Sequence, residues 1–435
     1  MLRRLDLRGS GTADLRSRLP RPAAQVEPPV DEVRAVLAEV RDGGDDAIRS
    51  LIRRFDGVEV DELRVPPAEV AAALDRIPGR LRAALEAAHA NIGAYHAAQR
   101  APGLVHRNGA IEIRELLRPV ERAGCYVPSA AAPLVSTVLM TVVPARVAGV
   151  PEIVVATAPG RAGRVDDGIL AAAAVAGADE VYRVGGPAAI AALAYGTESI
   201  RPVDVVVGPG SARVAQAKRE VAGLGLVGVP SAFAGPSEVV VVADSSTPAE
   251  HAAIDVLVQA EHGPDGLAWL IGWDAGVVDA VCAAVDRLVP RSPRRRHLEA
   301  TLAEGGYAVL TDGPEQALAV ANAIAPEHLE LLVDDWEALL PLVRHAGAVF
   351  CGPLAPASIG DYLAGANHVL PTSGSARFSG ALRVDDFCKR VHAVVVPRDG
   401  LTQVAPHVEA LADYEGLPAH AESVRLRVRA AGQPA

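Results

Sequence analysis

Residues 151–186 read PEIVVATAPGRAGRVDDGILAAAAVAGADEVYRVGG. A β-branched apolar run at 152–157 is followed by an Ala-rich helical stretch at 166–176, then by a second apolar run at 180–184 that ends in Gly185-Gly186. Strands that read as continuous apolar runs between helices imply parallel sheets covered on both faces. The rhythm continues downstream, with strand candidates at 203–207, 238–243, 268–273, 307–311, 329–333 and 346–350. Helix candidates at 188–195, 212–222, 248–261 and 314–323 lie between them. So many units overfill one compact open sheet, and the Gly-, Pro- and Ser-rich segment 223–235 offers the break between two α/β domains. Glycine-rich turns, Gly185-Gly186, Gly208-Pro209-Gly210 and Gly235-Pro236-Ser237, adjoin strand ends. In parallel α/β sheets ligands collect at the carboxyl ends of strands.

Upstream, residues 29–99 carry Ala and Leu at helical spacing, opening at Val30-Asp31-Glu32 with Asp31 as the expected cap. Residues 1–20 are basic and polar and read as an arm that packs on something else. From about Ser375 the chain is expected to be helical and loop-like, without a sheet of its own. The expected division is an arm at 1–20, a first α/β domain from 21–124 and 236–374, a second from 125–235, and a C-terminal tail from 375–435.

Composition narrows the function. Half of the 435 residues are apolar and 22% are charged, as in a folded globular protein. The net charge of −11 argues against a phosphate-backbone footprint, so no nucleic-acid partner is expected. The one dense basic cluster, Arg291, Arg294, Arg295 and Arg296, reads as a solvated loop. Cys125, Cys282, Cys351 and Cys388 are far apart and form no CxxC pair, which fits a reducing cytoplasm and indicates neither a thiolate zinc site nor a redox pair. The longest apolar stretch contains Pro144 and Arg146, so no membrane span is expected. Standard dinucleotide, Walker A, G-x-S-x-G and H-E-x-x-H motifs are absent.

The chemistry gathers in four polar patches. Gln259 and His262 are three residues apart at a helix end, on one face, and Gly263 is the expected stop. Glu327-His328 precedes a strand; in extended chain the two point apart, so each could serve a different proton transfer. Asp361 with His368, and Glu415 with His420, lie in Gly- and Pro-rich loops that can present polar groups. Taken singly, each patch is better read as a solvated helix end or loop. Together they supply amide, imidazole and carboxylate donors without sulfur, a set that suits Zn²⁺ with open positions for substrate.

AGPSEVVVVAD (234–244), QAEHG (259–263), APEHLEL (325–331), GDYLAGANHVLPTSGSARFSG (360–380) and EGLPAH (415–420) resemble the histidinol dehydrogenase family, in sequence and in spacing, over essentially the whole chain. The resemblance implies an α/β fold of two incomplete Rossmann-like parallel-sheet domains, with small helical N- and C-terminal pieces that embrace a second subunit. It implies two successive hydride transfers to NAD, taking L-histidinol through L-histidinaldehyde to L-histidine. By motif, one zinc per subunit would be held by Gln259, His262, Asp361 and His420, the last from the partner subunit of a homodimer, and would fix the substrate imidazole and amine. His328 would be the general base and Glu327 would activate water. His368 and Glu415 would bind substrate or shuttle protons, Ser237 would lie near the substrate, and Tyr126 would touch NAD.

The chain departs from the family on the nucleotide side. Ser129 and Ala130 stand for two glycines, Ala188 for a glutamine, Ser211 for an asparagine and Ser231 for an aspartate. An altered NAD pocket is therefore expected. Two alternatives stay open: a relative oxidising another amino or hydroxy alcohol, and a zinc-dependent hydrolase using the same ligands without nicotinamide.

Overall fold

The computed structural model describes residues 1–13, 15–20, 29–128, 132–231, 233–263 and 266–431. It divides into two units, one of residues 1–99 and 120–387, the other of 100–119 and 388–435. In the larger unit a six-stranded sheet has the order β1 (Arg3–Asp6), β10 (Gly306–Leu310), β9 (Leu267–Gly272), β8 (Glu238–Ala243), β11 (His328–Leu332), β12 (Ala348–Cys351). Every pairing in it is parallel. A second parallel sheet runs β6 (Glu180–Arg183), β5 (Glu152–Thr157), β4 (Arg122–Val127), β7 (Val205–Val207).

The strands read as unbroken apolar runs because both faces are covered. Val239 and Val241 of β8 enter one core with Val256 and Leu257 of helix α9 (Ala249–Ala260) and Val281 of α10 (Ala275–Leu288). Val240 and Val242 point the other way, into a core with Leu318 and Val320 of α12 (Pro314–Ile324). Period-two alternation thus serves two hydrophobic layers, leaving no polar face to read. Around the smaller sheet, α7 (Gly186–Tyr195) and α8 (Ala212–Gly223) share a core with α2 (Val30–Phe55), while α5 (Val135–Ala148) and α6 (Asp167–Ala176) pack on each other.

Residues 29–99 are helical: α2, α3 (Pro67–Arg76) and α4 (Gly79–Ala98), after the short α1 (Leu15–Arg18). Asp31 is not the cap of α2. Pro29 occupies that position, and Asp31 lies inside the first turn, where a carboxylate favours the helix dipole. The N-terminal segment supplies edge strand β1, paired with β10. In the second unit, β2 (Val105–Asn108), β3 (Ile111–Pro119) and β13 (Cys388–Val395) form an antiparallel sheet. Helices α15 (Arg398–Tyr414) and α16 (Pro418–Ala431) pack on each other. The tail therefore does have sheet structure, contrary to expectation. Lys389, Arg390 and Val391 of β13 are exposed, so the strand lacks the buried run by which the others were read. Helices α11 (Arg295–Gly305), α13 (Trp336–Leu339) and α14 (Ala357–Tyr362) complete the larger unit. Among the described residues no helix is long and apolar enough to cross a membrane.

The turn after β7 has one rigid requirement. Gly208 has φ +111°, and a Cβ there would lie 2.1 Å from the Tyr126 carbonyl oxygen inside the sheet. Gly208→Ala should therefore lower stability by roughly 1–3 kcal/mol or more. Equilibrium denaturation would check this, and an unchanged midpoint would mean that the turn relaxes freely.

Candidate active site

A crossover helix in a parallel sheet runs opposite to the strands, so its carboxyl end returns to the amino end of the next strand. This places the last turn of α9, with Gln259, and the following His262 beside Ser237 before β8 and Glu327-His328 at the start of β11. From the other sheet come the residues after β4 and β7: Pro128, and Pro209, Gly210 and Ser211. The cleft of about 400 Å³ thus lies between the carboxyl ends of the smaller sheet and the amino ends of the larger one. The sequence rule of carboxyl ends holds for only one wall. Gly235-Pro236-Ser237 precedes β8 and does not follow a strand. The volume suits a small molecule.

The polar groups converge. Gln259 Nε2 donates to Asp361 Oδ2 at 3.1 Å, and Ser237 Oγ lies 2.9 Å from His262 Nδ1. His328 Nδ1 is 3.1 Å from the Glu238 carbonyl oxygen, which can only accept, so that nitrogen carries the hydrogen. His328 Nε2 is then buried with no hydrogen-bond partner among the described residues, and Asp361 Oδ1 stands 3.4 Å away. The ring stacks on Phe350. His368 Nδ1 donates to the Asp361 carbonyl at 2.8 Å, and its Nε2 meets Thr137 Oγ1 at 3.3 Å. Glu327 and His328 do approach each other, contrary to expectation: Glu327 Oε2 is 3.4 Å from His328 Nδ1. The chain bends at Glu327, and its carboxylate turns back to accept the Glu238 N–H at 2.8 Å.

Electrostatics follow from this packing. Burial opposes the His328 imidazolium, but Glu327 and Asp361 raise its pKa well above the ordinary value. Burial would raise Asp361, yet His328 beside it, with His368 and His262 nearby, holds its carboxyl below the usual range. Burial lowers His368. Behind them, burial pushes Glu238 up to about 8, while its Oε1 accepts the Ser373 N–H at 2.9 Å.

The chain matches the family model described as histidinol dehydrogenase over residues 19–428. It is 45% identical to a histidinol dehydrogenase of Parasynechococcus marenigrum, over 91% of this chain and 90% of that one. With the Thermus thermophilus histidinol dehydrogenase it shares 43%, over 95% and 98%. The crystal structure of histidinol dehydrogenase from Elizabethkingia anophelis superposes with a TM-score of 0.93 at 31% identity, covering 99% of both chains.

The chain belongs to the histidinol dehydrogenase family. It is accordingly an oxidoreductase, with the α/β fold of two parallel sheets that the family resemblance implied.

Of the residues that the histidinol dehydrogenase motifs single out, Ser237, Gln259, His262, Glu327, His328, Asp361 and His368 line the one cleft. Glu415 and His420 belong to the second unit, where both are exposed, and they are not among the lining residues. Helix α9 stops at Ala260, earlier than Gly263, and His262 reaches the cleft from the turn beyond it. Tyr126 is buried and does not line the cleft. Its hydroxyl accepts the Gly186 N–H at 3.3 Å, Gly210 lies against its ring, and burial raises its pKa to about 12.

Of the positions read from the sequence as departures, Ser211 lines the cleft, whereas Ala188, on α7, is buried in the core. Ser129 and Ala130 lie outside the described residues. Ser231 accepts the Gly208 N–H at 3.1 Å and stands 3.5 Å from Lys218 Nζ, which also donates to the Gly208 carbonyl. Lys218 is completely buried, and burial brings its pKa down to about 7.

Sequence reasoning missed three contributors. Arg294, read as part of a solvated loop, lines the cleft and donates from Nε to the Glu261 carbonyl at 2.9 Å. Thr137 lies in none of the motifs, and Glu238, though inside AGPSEVVVVAD, was given no role; only their contacts with His368 and with Glu327-His328 reveal them.

The donor set can be tested against a divalent cation. Among the described residues no three His, Cys, Asp or Glu side chains alone enclose one. The expected quartet differs from such a group: it uses the Gln259 amide and takes His420 from the second unit. Three observations fit a cation. An amide and a carboxylate converge, a buried imidazole nitrogen faces that carboxylate without a partner, and the carboxyl end of α9 brings the negative end of a helix dipole.

Proposed function

We propose that this enzyme oxidises L-histidinol through L-histidinaldehyde to L-histidine, in histidine biosynthesis, by two hydride transfers to NAD at a zinc-dependent site. The observation that carries the reading is the unpartnered, buried Nε2 of His328 in a cleft that also holds Gln259, His262, Asp361, Glu327 and His368. Gln259, His262, Asp361 and His420 of the partner subunit would hold Zn²⁺, which supplies a fixed point for the substrate imidazole and amine.

Neutral His328, its Nδ1–H held on the Glu238 carbonyl, takes the alcohol proton at Nε2 as hydride leaves the carbinol carbon, and Glu327 and Asp361 stabilise the imidazolium that results. Glu327, held by the Glu238 N–H, takes a proton from water as it adds to the aldehyde, and a second hydride then leaves the hydrate. His368, lowered by burial, can pass protons as a neutral imidazole. Glu415 of the partner subunit would bind substrate. NAD would lie toward Pro209, Gly210 and Ser211, on the wall built by the smaller sheet.

Chelation should abolish L-histidinol-dependent formation of reduced nicotinamide, and zinc should restore it. Full activity after metal removal, verified by elemental analysis, would overturn the zinc assignment. Reduction of NAD with another amino alcohol but not with histidinol would overturn the substrate.

A further inference from the structure

Behind the cleft wall, two acids face each other in the interior. Asp255 on α9 and Glu330 on β11 are both buried, Glu330 completely, and their carboxyl groups lie side by side. Glu330 Oε1 accepts the Ala357 N–H at 3.3 Å, and its Oε2 meets no donor of its own among the described residues. The titratable groups facing the pair are His251, one turn back on α9, and His328, on the same side of β11. Helix α14 contributes the Ala357 N–H. Two carboxylates cannot both be ionised at such a place, so they hold a proton between them. Burial first, and then the Asp255 charge, pushes Glu330 up to about 9; burial also raises Asp255.

Each attachment point lies at fixed spacing from a residue of the cleft. Asp255 is one helical turn before Gln259. Glu330 is two residues after His328, on the same face of the strand. Ala357 opens α14, one turn before Asp361. We propose that Asp255 and Glu330 act as a proton-sharing clamp that joins α9, β11 and α14 and thereby positions Gln259, His328 and Asp361. They are positioning residues, and the proposal rests on the reading of those three residues as the zinc and proton-transfer site.

The test uses the full-length protein, with zinc affinity measured by chelator competition and melting temperature followed from pH 5 to 9. Glu330→Ala should weaken zinc binding by about 10–100-fold. Glu330→Gln, which can donate an amide hydrogen to an ionised Asp255, should restore affinity close to that of the wild type. Asp255→Asn should behave as Glu330→Gln does.

The pH sign is defined. Glu330 keeps its proton to about 9 in the folded chain, whereas an unfolded glutamate loses it near pH 4.3. Its contribution to stability is therefore complete below the unfolded value and is lost as pH rises toward 9. The melting temperature of the wild type should fall over that window more steeply than that of Glu330→Gln. Wild-type zinc affinity in Glu330→Ala, or damage in Glu330→Gln equal to that in Glu330→Ala, would overturn the clamp. So would equal pH slopes in wild type and Glu330→Gln. If the wild type bound no zinc, the zinc reading would fail by itself, and the pH slopes would still decide whether the proton is shared.

Discussion

His328→Asn should lower kcat for L-histidinol oxidation by about 10²–10⁴-fold, the usual contribution of a positioned base. The asparagine amide can still donate to the Glu238 carbonyl, as Nδ1–H does in the parent chain. What disappears is the basic nitrogen that faces Asp361 and the cleft. Zinc content should be unchanged and KM little affected, because the lost group acts on a proton and not on the bound ring. Supplying L-histidinaldehyde separates the two half-reactions. His328→Asn should impair the alcohol step more, and Glu327→Gln the aldehyde step more. A kcat for His328→Asn within tenfold of the wild type would remove His328 from the role of base.

The second large effect is complementation between two inactive proteins. The family resemblance assigns His420 to the neighbouring subunit's site, and in the single chain it lies exposed in the second unit. His420→Ala and His328→Asn should each be nearly inactive alone. In a two-fold dimer with shared sites, random subunit exchange would give half heterodimers with one intact site each, and so about a quarter of wild-type activity. Activity no greater than the sum of the two parents, with exchange demonstrated by mass, would mean that each site is completed within one chain.

Several features were legible because they follow from local rules. The apolar runs between Ala-rich helices identified eight of the ten strands of the two parallel sheets, all but β1 and β4, since a doubly covered strand has no polar face to disguise it. Strands β3 and β13 escaped because β3 is only half-buried and β13 largely exposed, with arginines at Arg114 and Arg390 within them. The separation of Glu327 from His328 was also misjudged. The rule that neighbours diverge holds for extended chain, and the chain bends at Glu327, drawn back by the Glu238 N–H.

By itself, the sequence determined the fold class, the family and the kinds of chemical group available, because apolar periodicity and motif spacing are properties of the chain read in order. Only the tertiary structure decided which of those groups share one environment. The antiparallel run of α9 brings Gln259 and His262 to the amino ends of β8 and β11, and α14 sets Asp361 against both Gln259 and His328. Burial then decided their protonation. Nothing in the strings around Glu330, Glu238 or Lys218 marks a carboxyl that keeps its proton or an amine that loses one. That depends on how much water each group gives up and which charge it meets instead, and both are fixed by contacts between residues far apart in the chain.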